Sequence, residues 1–327
     1  MGNDLPETDA VVLLDSLIGS TDDVILAEIF RAWNDKEIAE DEIYSIAKIM
    51  RGRMRGVRSS HKTFVDIVGT GGSKAKTFNV STAAAFVVAG GGVPVAKHGN
   101  KAATSNSGSA DVLSELGIEP TADAATAERC LNEIGICFMF APNFHRLSPT
   151  LGKVRRSLGF PTIFNCVGPL CNPASAPHQL IGVWDRELLP KMANALRRLG
   201  TKKSWILHAE SGLDEISLDG PTFVAEVADG TVRYFQITPE DFGVAINIID
   251  HLRTNDAVSS AFIVRDVLSG IMTATSAESI VAINAAAAMY ICEAANSLKT
   301  GFEMSIESIR TGNAENKLNQ LADAVRK

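Results

Sequence analysis

Between Asp66 and Asp111 the chain gathers groups that could hold a polyphosphate. Gly69-Thr70-Gly71-Gly72 ends a short apolar run. Asn79, Ser81 and Thr82 stand before a run of small residues. Lys97-His98-Gly99-Asn100 ends a second apolar run, and the hydroxyls of Thr104, Ser105, Ser107 and Ser109 follow. A glycine turn after a strand brings backbone N–H groups up to an anion, and the N-terminus of the next helix adds a favourable dipole. Lys97 adds a positive point charge. Ser81 carries the hard oxygen that Mg2+ prefers, and Asp214-Glu215 offer two carboxylates to the same kind of ion. Arg155-Arg156 present planar guanidinium forks suited to a carboxylate, and His145 could line the same cleft. Each motif has an ordinary reading: a tight turn, a helix cap, a solvated acidic loop, a helix surface. Their coincidence points to chemistry.

These groups need elements that bring them together. Apolar runs at 64–68, 93–96, 136–140, 179–183 and 204–207 read as strands. Runs at 83–89, 111–116, 122–134, 143–158 and 187–199 read as helices. Ile163-Phe164-Asn165 follow the run at 143–158, and the stretch 168–173, with Gly168, Pro169, Asn172 and Pro173, reads as turn-rich. This alternation predicts a mostly parallel sheet with helices on both faces. Asp229-Gly230 between two strand patterns predicts a tight hairpin, and the chain after about residue 256 reads as helical. Residues 8–57 read as three amphipathic helices, suited to a small helical domain or a dimer contact. The cluster Arg51, Arg53, Arg55 and Arg58 reads as a solvated helix end.

Composition narrows the class. The 327 residues suit about two domains, and 46% hydrophobic residues suffice for a sizeable core. A net charge of −7 argues against a nucleic-acid partner. Five cysteines without a CxxC pair suit a reducing compartment, and Cys166 and Cys171 have no partners at zinc spacing. The first residues show no basic stretch followed by an apolar run, and the longest apolar run, 281–292, is too short to span a membrane. A cytoplasmic protein without membrane contact is expected.

Taken together, these motifs make the sequence resemble the anthranilate phosphoribosyltransferase family. GTGG (69–72), TFNVST (77–82), KHGN (97–100), SGSADVL (107–113), APNFH (141–145), VRRSLG (154–159), TIFNCVGPLCNPA (162–174) and GLDEIS (212–217) occur in the family's order over nearly the whole chain. The resemblance implies an α/β fold of the nucleoside phosphorylase/phosphoribosyltransferase type. It has a small all-helical N-terminal domain, 1–62, joined by helices around 145–172, and a larger α/β domain, 63–327, with a mostly parallel central sheet. It implies phosphoribosyl transfer from phosphoribosyl pyrophosphate to the amino group of anthranilate, in tryptophan biosynthesis, with Mg2+ as cofactor. A homodimer through the N-terminal helices is implied as well.

Carried over by motif, Gly69, Gly72, Ser73, Thr77, Asn79, Val80, Ser81, Thr82, Lys97, Ser105 and Ser109 would hold phosphoribosyl pyrophosphate. Ser81, Asp214 and Glu215 would bind Mg2+. Gly69, His98, Asn100, His145, Arg155 and Pro169 would face anthranilate, with His98 as a candidate proton acceptor.

The sequence departs from the family at Ser73-Lys74, where Asp and Gly are usual, and at Lys101, where Arg is usual. A basic residue is common at Asn106, and Pro-Ala-Met is usual in place of Arg146-Leu147-Ser148. Ser73 removes a negative charge from beside the pyrophosphate. Three further readings stay open at this point: transfer to another aromatic amine, a pyrimidine nucleoside phosphorylase of the same fold, and an inactive relative that binds nucleic acid. The second has no use for Asp214-Glu215, and the intact KHGN and acidic balance speak against the third.

Overall fold

The computed structural model describes residues 7–73, 75, 77–102, 107–145 and 147–326. Lys74, Thr104, Ser105, Asn106 and Arg146 therefore lie outside the described residues. Three helices come first: α1 (Glu7–Gly19), α2 (Asp23–Asp35) and α3 (Glu40–Arg53). Then follow β1 (Val65–Gly69), α4 (Val80–Gly90), β2 (Val95–Gly99), α5 (Ser109–Glu115), α6 (Ala124–Glu133) and β3 (Ile136–Phe140). Three helices, α7 (Ala141–His145), α8 (Pro149–Leu158) and α9 (Ile163–Leu170), lead to β4 (His178–Gly182), α10 (Leu188–Leu199) and β5 (Lys203–Ala209). The hairpin β6 (Thr222–Ala228) and β7 (Thr231–Ile237) precedes α11 (Ala257–Leu268), α12 (Ser276–Ile291), α13 (Leu298–Arg310) and α14 (Asn313–Val325).

The sheet runs β3-β2-β1-β4-β5-β6-β7. Strands β1 to β5 are parallel, and β6 and β7 close one edge antiparallel. The chain builds outward from β1 to β3 and then returns to place β4 on the other side of β1. This switch point is where open α/β sheets bind ligands, beyond the carboxyl ends of the strands. The β6–β7 turn is the expected one: Asp229 and Gly230 have φ of 52° and 71°, the paired left-handed conformation of a two-residue hairpin.

Strand periodicity divides the core into two apolar clusters. Leu180, Trp205, Leu207 and Val224 face a cluster built with α4, α5, α6 and the C-terminal helices. Their neighbours Ile181, Ile206, Phe223 and Ala225 face a second cluster built with α1 to α3 and α8 to α10. Helix α4 is buried over nearly its whole length, and its run of alanines allows close approach to the strands.

Three sequence expectations are corrected. The stretch 143–158 is two helices rather than one, because Ser148 caps α8 by accepting the Leu151 N–H and Pro149 begins the new turn. The stretch expected to be turn-rich, 168–173, opens inside a helix, which runs from Ile163 to Leu170. Burial of Ile163, Phe164, Cys166, Val167 and Leu170 outweighs the poor propensity of Gly168 and Pro169. Arg51 is not part of a solvated helix end. It is half-buried, and its Nε donates to Leu170 O at 2.6 Å and its Nη1 to Leu199 O at 3.2 Å. One guanidinium thus satisfies carbonyls at the C-terminal ends of two helices, where a cation also meets the favourable end of each dipole.

Candidate active site

The carboxyl ends of β1 and β2, the first turn of α4 and the loop after β5 surround a cavity of about 270 Å³. Gly69, Gly72, Ser73, Thr77, Asn79, Ser81, Lys97, His98, Asn100, Ser109, His145, Arg155, Pro169, Asp214 and Glu215 all line it. Val80 and Thr82 do not. Both are fully buried beneath the first turn of α4, and their N–H groups donate to Phe78 O and Asn79 O. In a helix, Ser81 points to the cavity while its two neighbours turn into the core.

β2 extends further than the apolar run suggested, so Lys97 and His98 are strand residues and face opposite sides of the sheet. The Lys97 ammonium donates to Ile67 O at 2.7 Å and approaches Ser81 Oγ at 3.5 Å. Burial lowers its pKa to about 8, while Asp66 and Glu215 work to hold it up. On the other side the His98 ring meets His145, Nε2 to Nε2 at 3.0 Å. Burial first, then the neighbouring His145 and Lys97, push His98 well below the usual range, with a Gly168 backbone hydrogen bond acting the other way. Burial lowers His145 to about 4.

Of the two facing Nε2 atoms one must donate and the other accept. His145 Nδ1 is buried without a partner.

The acidic pair was expected in an exposed loop. Instead Asp214 and Glu215 are half-buried at the cavity wall. Glu215 accepts the Ser81 N–H at 3.1 Å and the Thr77 hydroxyl at 3.0 Å, so a carboxylate already sits on the first turn of α4. Burial first, and Asp214 beside it, push Glu215 up to about 8, and burial also raises Asp214. Two glycines make this placement possible. Gly69 and Gly182 are register partners in β1 and β4. A Cβ on Gly69 would stand 2.7 Å from Asp214 Oδ2, and one on Gly182 would collide with the Asp214 carbonyl. The Asp214-Glu215 loop rests on strand ends that have no side chains.

The glycine turn holds Gly71 and Gly72 at φ of 64° and 83°, and Gly72 packs under Pro161. Ser73 lines the cavity beside this turn. It is buried, with its hydroxyl 2.7 Å from Gly212 O and 2.8 Å from Ala75 O. It therefore ties the glycine turn to the loop that carries Asp214.

Asn79 precedes α4 but makes no side-chain cap. Its Oδ1 accepts from Ser107 and Ser260 hydroxyls at 2.8 and 2.9 Å, which fastens three segments of the wall. Asn100 has no left-handed φ, and its Oδ1 accepts the Lys101 N–H. Leu147 lines the acceptor side.

Sequence reasoning passed over Asp66, Asn165, Gln179, Gly182 and Ser260. Asp66 is wholly buried. It accepts the His98 N–H at 3.0 Å and faces Gln179 Nε2 at 3.5 Å, and Gln179 in turn donates to Pro169 O at 2.8 Å. Burial raises its pKa to about 6 against the opposing effects of Asn172, Lys97, His98 and Gln179. A charged residue inside an apolar strand was the available signal.

The switch-point cavity, the buried lysine and the two carboxylates define a phosphate-handling α/β transferase. Residues 61–315 match the glycosyl transferase family, a/b domain. The chain is 43% identical to the anthranilate phosphoribosyltransferase of Anaeromyxobacter dehalogenans over 324 residues, 99% of this chain and 95% of that one. The crystal structure of anthranilate phosphoribosyltransferase from Thermus thermophilus superposes with a TM-score of 0.89 at 35% identity, covering 99% of this chain and 96% of that one. The Saccharomyces cerevisiae enzyme in complex with PRPP (phosphoribosyl pyrophosphate) and Mg superposes with a TM-score of 0.88 at 30% identity, covering 98% and 94%. The chain belongs to the anthranilate phosphoribosyltransferase family.

Two outcomes follow from this geometry. Gly182→Ala forces the Asp214 loop off the strand end, because a backbone carbonyl cannot rotate aside as a side chain can. Overpacking of this kind typically costs about 1–3 kcal/mol, and displacing the loop should weaken Mg2+-dependent pyrophosphate binding roughly tenfold or more. Calorimetry at saturating Mg2+ measures it, and unchanged affinity would mean that Gly182 does not position Asp214. The second concerns Lys97, which is protonated below its folded pKa of about 8 and loses its charge as pH rises through that value. Wild-type pyrophosphate affinity should fall above that pH. In Asp66→Asn the supporting negative charge is gone, so the decline should begin at a lower pH. Superimposable pH profiles for the two proteins would show that Asp66 does not hold the Lys97 proton.

Proposed function

We propose that this chain transfers the phosphoribosyl group of phosphoribosyl pyrophosphate to the amino group of anthranilate and releases pyrophosphate, a step of tryptophan biosynthesis. The observation that carries this reading is a pair of cations lining one cavity. Lys97 stands beside Ile67 of β1 and Ser81 of α4, and Arg155 stands beside Phe164 and Asn165 of α9. One suits a polyphosphate and the other a carboxylate. The yeast relative's structure with 4-fluoroanthranilate, at 27% identity and a TM-score of 0.86, supports the second assignment.

In this reading Gly69, Gly72, Ser73, Thr77, Asn79, Ser81, Lys97 and Ser109 surround phosphoribosyl pyrophosphate. Lys97 stabilises negative charge as the bond from ribose C1 to the pyrophosphate oxygen breaks. Gly69, His98, Asn100, His145, Arg155 and Pro169 hold anthranilate so that its amine attacks C1. His145 Nδ1, buried without a partner, takes the amine proton. No nucleophilic side chain is needed, because positioning and charge stabilisation carry the step.

The donor set fits Mg2+. Two carboxylates and a hydroxyl are hard oxygen ligands, and the missing Cβ of Gly69 leaves the space that Asp214 Oδ2 occupies. Asp214, Glu215 and Ser81 would hold the ion, which when bound neutralises charge on the departing pyrophosphate.

Residues 1–62 with α8 and α9 are read as the helical domain and 63–327 as the α/β domain. Val12, Val24 and Ile25 are exposed apolar residues on α1 and α2, and we assign them to the contact of a homodimer. Among the described residues no helix is long and apolar enough to cross a membrane, and a cytoplasmic location is proposed.

The direct test is a product assay with phosphoribosyl pyrophosphate, Mg2+ and a panel of aminobenzoates. Arg155→Ala should raise the KM for anthranilate about ten- to a hundredfold, the usual cost of a lost charged hydrogen bond, and leave that for phosphoribosyl pyrophosphate nearly unchanged. Equal effects on both substrates would make Arg155 a structural residue. Sedimentation should give about twice the chain mass of 34.8 kDa, and Val24→Asp with Ile25→Asp should halve it. A monomeric wild type would remove the dimer assignment.

A further inference from the structure

Arg155 is an unusual cation. Its guanidinium lines the cavity, its Nε is buried without a hydrogen-bond partner, and among the described residues no carboxylate pairs with it. Its polar contact is Nη2 to Asn165 Oδ1 at 3.4 Å, and the Phe164 ring lies 5.1 Å from the guanidinium carbon. An enclosed Arg ordinarily has an acidic partner, because an uncompensated charge in a low-dielectric site is costly.

Asn165 is fixed from three directions. Its Nδ2 donates to Thr70 O at 3.0 Å, in the glycine turn. Its Oδ1 accepts the Thr162 N–H at 2.9 Å and lies 3.4 Å from the Thr162 hydroxyl. The reversed amide would set its NH2 against the Thr162 N–H and the Arg155 fork, so only the oxygen can face Arg155. The side chain is nearly buried and cannot swing away.

We infer that Asn165 is the positioning residue that aims Arg155 while leaving its charge unspent, and that this neutral oxygen makes the site select a carboxylate-bearing acceptor. This role rests on the proposed anthranilate reading. A carboxylate at this position would still meet Arg155 and the Thr162 N–H. It would, however, neutralise the guanidinium internally, and its second oxygen would face Thr70 O. Through Thr70, Asn165 also links the acceptor side to the glycine turn. The amide thus holds the two halves of the cavity in register.

The test uses full-length enzyme with pyrophosphate and Mg2+, which occupy the site without turnover, and two acceptors: anthranilate and its uncharged isostere anthranilamide. Their dissociation constants are measured by calorimetry for the wild type, Asn165→Asp and Asn165→Ala. The expected result is that Asn165→Asp weakens anthranilate at least about tenfold and changes anthranilamide by no more than about twofold. Asn165→Ala, which loses the aim but not the charge, should weaken anthranilate less than Asn165→Asp does and more than it weakens anthranilamide. Should Asn165→Asp fail to fold, the alanine variant decides, since an equal loss for both acceptors would overturn the inference. So would wild-type anthranilate affinity in Asn165→Asp. A wild type that does not prefer anthranilate to anthranilamide would instead overturn the proposed function, which separates the two failures.

Discussion

The site depends on one constraint, a lysine ammonium kept charged beneath the end of a parallel sheet. Lys97 is almost wholly buried, and desolvation alone would favour its neutral form. Three features of the fold oppose this: the Ile67 carbonyl that accepts from it, the field of Asp66 in the adjacent strand, and the field of Glu215 above it. Each of these is itself placed by something else. Asp66 is held by the His98 N–H and by Gln179, and Glu215 by Ser81 and Thr77. The charge that meets a polyphosphate is therefore the product of a network spanning β1, β2, β4 and α4.

Strand geometry separates the two jobs of the cavity. Adjacent residues of a strand point to opposite faces, so the dipeptide Lys97-His98 sends its cation to one side and its imidazole to the other. The same alternation sorts the core into two clusters, one behind each half of the site. Where the acidic loop must cross the strand ends, the register pair Gly69 and Gly182 removes the side chains that would block it. Arg51 then fastens the N-terminal helices to α9 and α10, so that the helical segment that completes the acceptor side does not drift from the sheet.

Much of this was legible in the sequence. The alternation of apolar runs predicted the parallel sheet, and Asp229-Gly230 predicted its hairpin, because both signals are local. The clustering of Gly69 to Gly72, Ser81, Lys97 and Ser109 marked one lip of the cavity correctly as a set of neighbours. The misses have physical causes. The helix at 163–170 was hidden because glycine and proline count against it locally, while its stability comes from burial. Asp66 looked like a strand residue of no consequence, since its partners Gln179 and Lys97 lie in other strands. The tie from the Ser73 hydroxyl to Gly212 was not legible, because nothing in the sequence places that carbonyl beside it.

The sequence alone determined which chemical groups are present and which short segments carry them, because strand, helix and turn patterns are set by neighbours along the chain. It also determined the family, because eight motifs in one order are far more specific than any one of them. Only the tertiary structure decided direction and charge. It turned Val80 and Thr82 into the core and Ser81 out of it. It set Asp214 and Glu215 half-buried at the cavity wall, left His145 Nδ1 buried without a partner, and left Arg155 facing an amide instead of a carboxylate. The physical reason is that burial and electrostatic pairing depend on segments far apart in the chain, such as Thr70 with Asn165 and Ser81 with Glu215, which meet only when the sheet and its helices close around them.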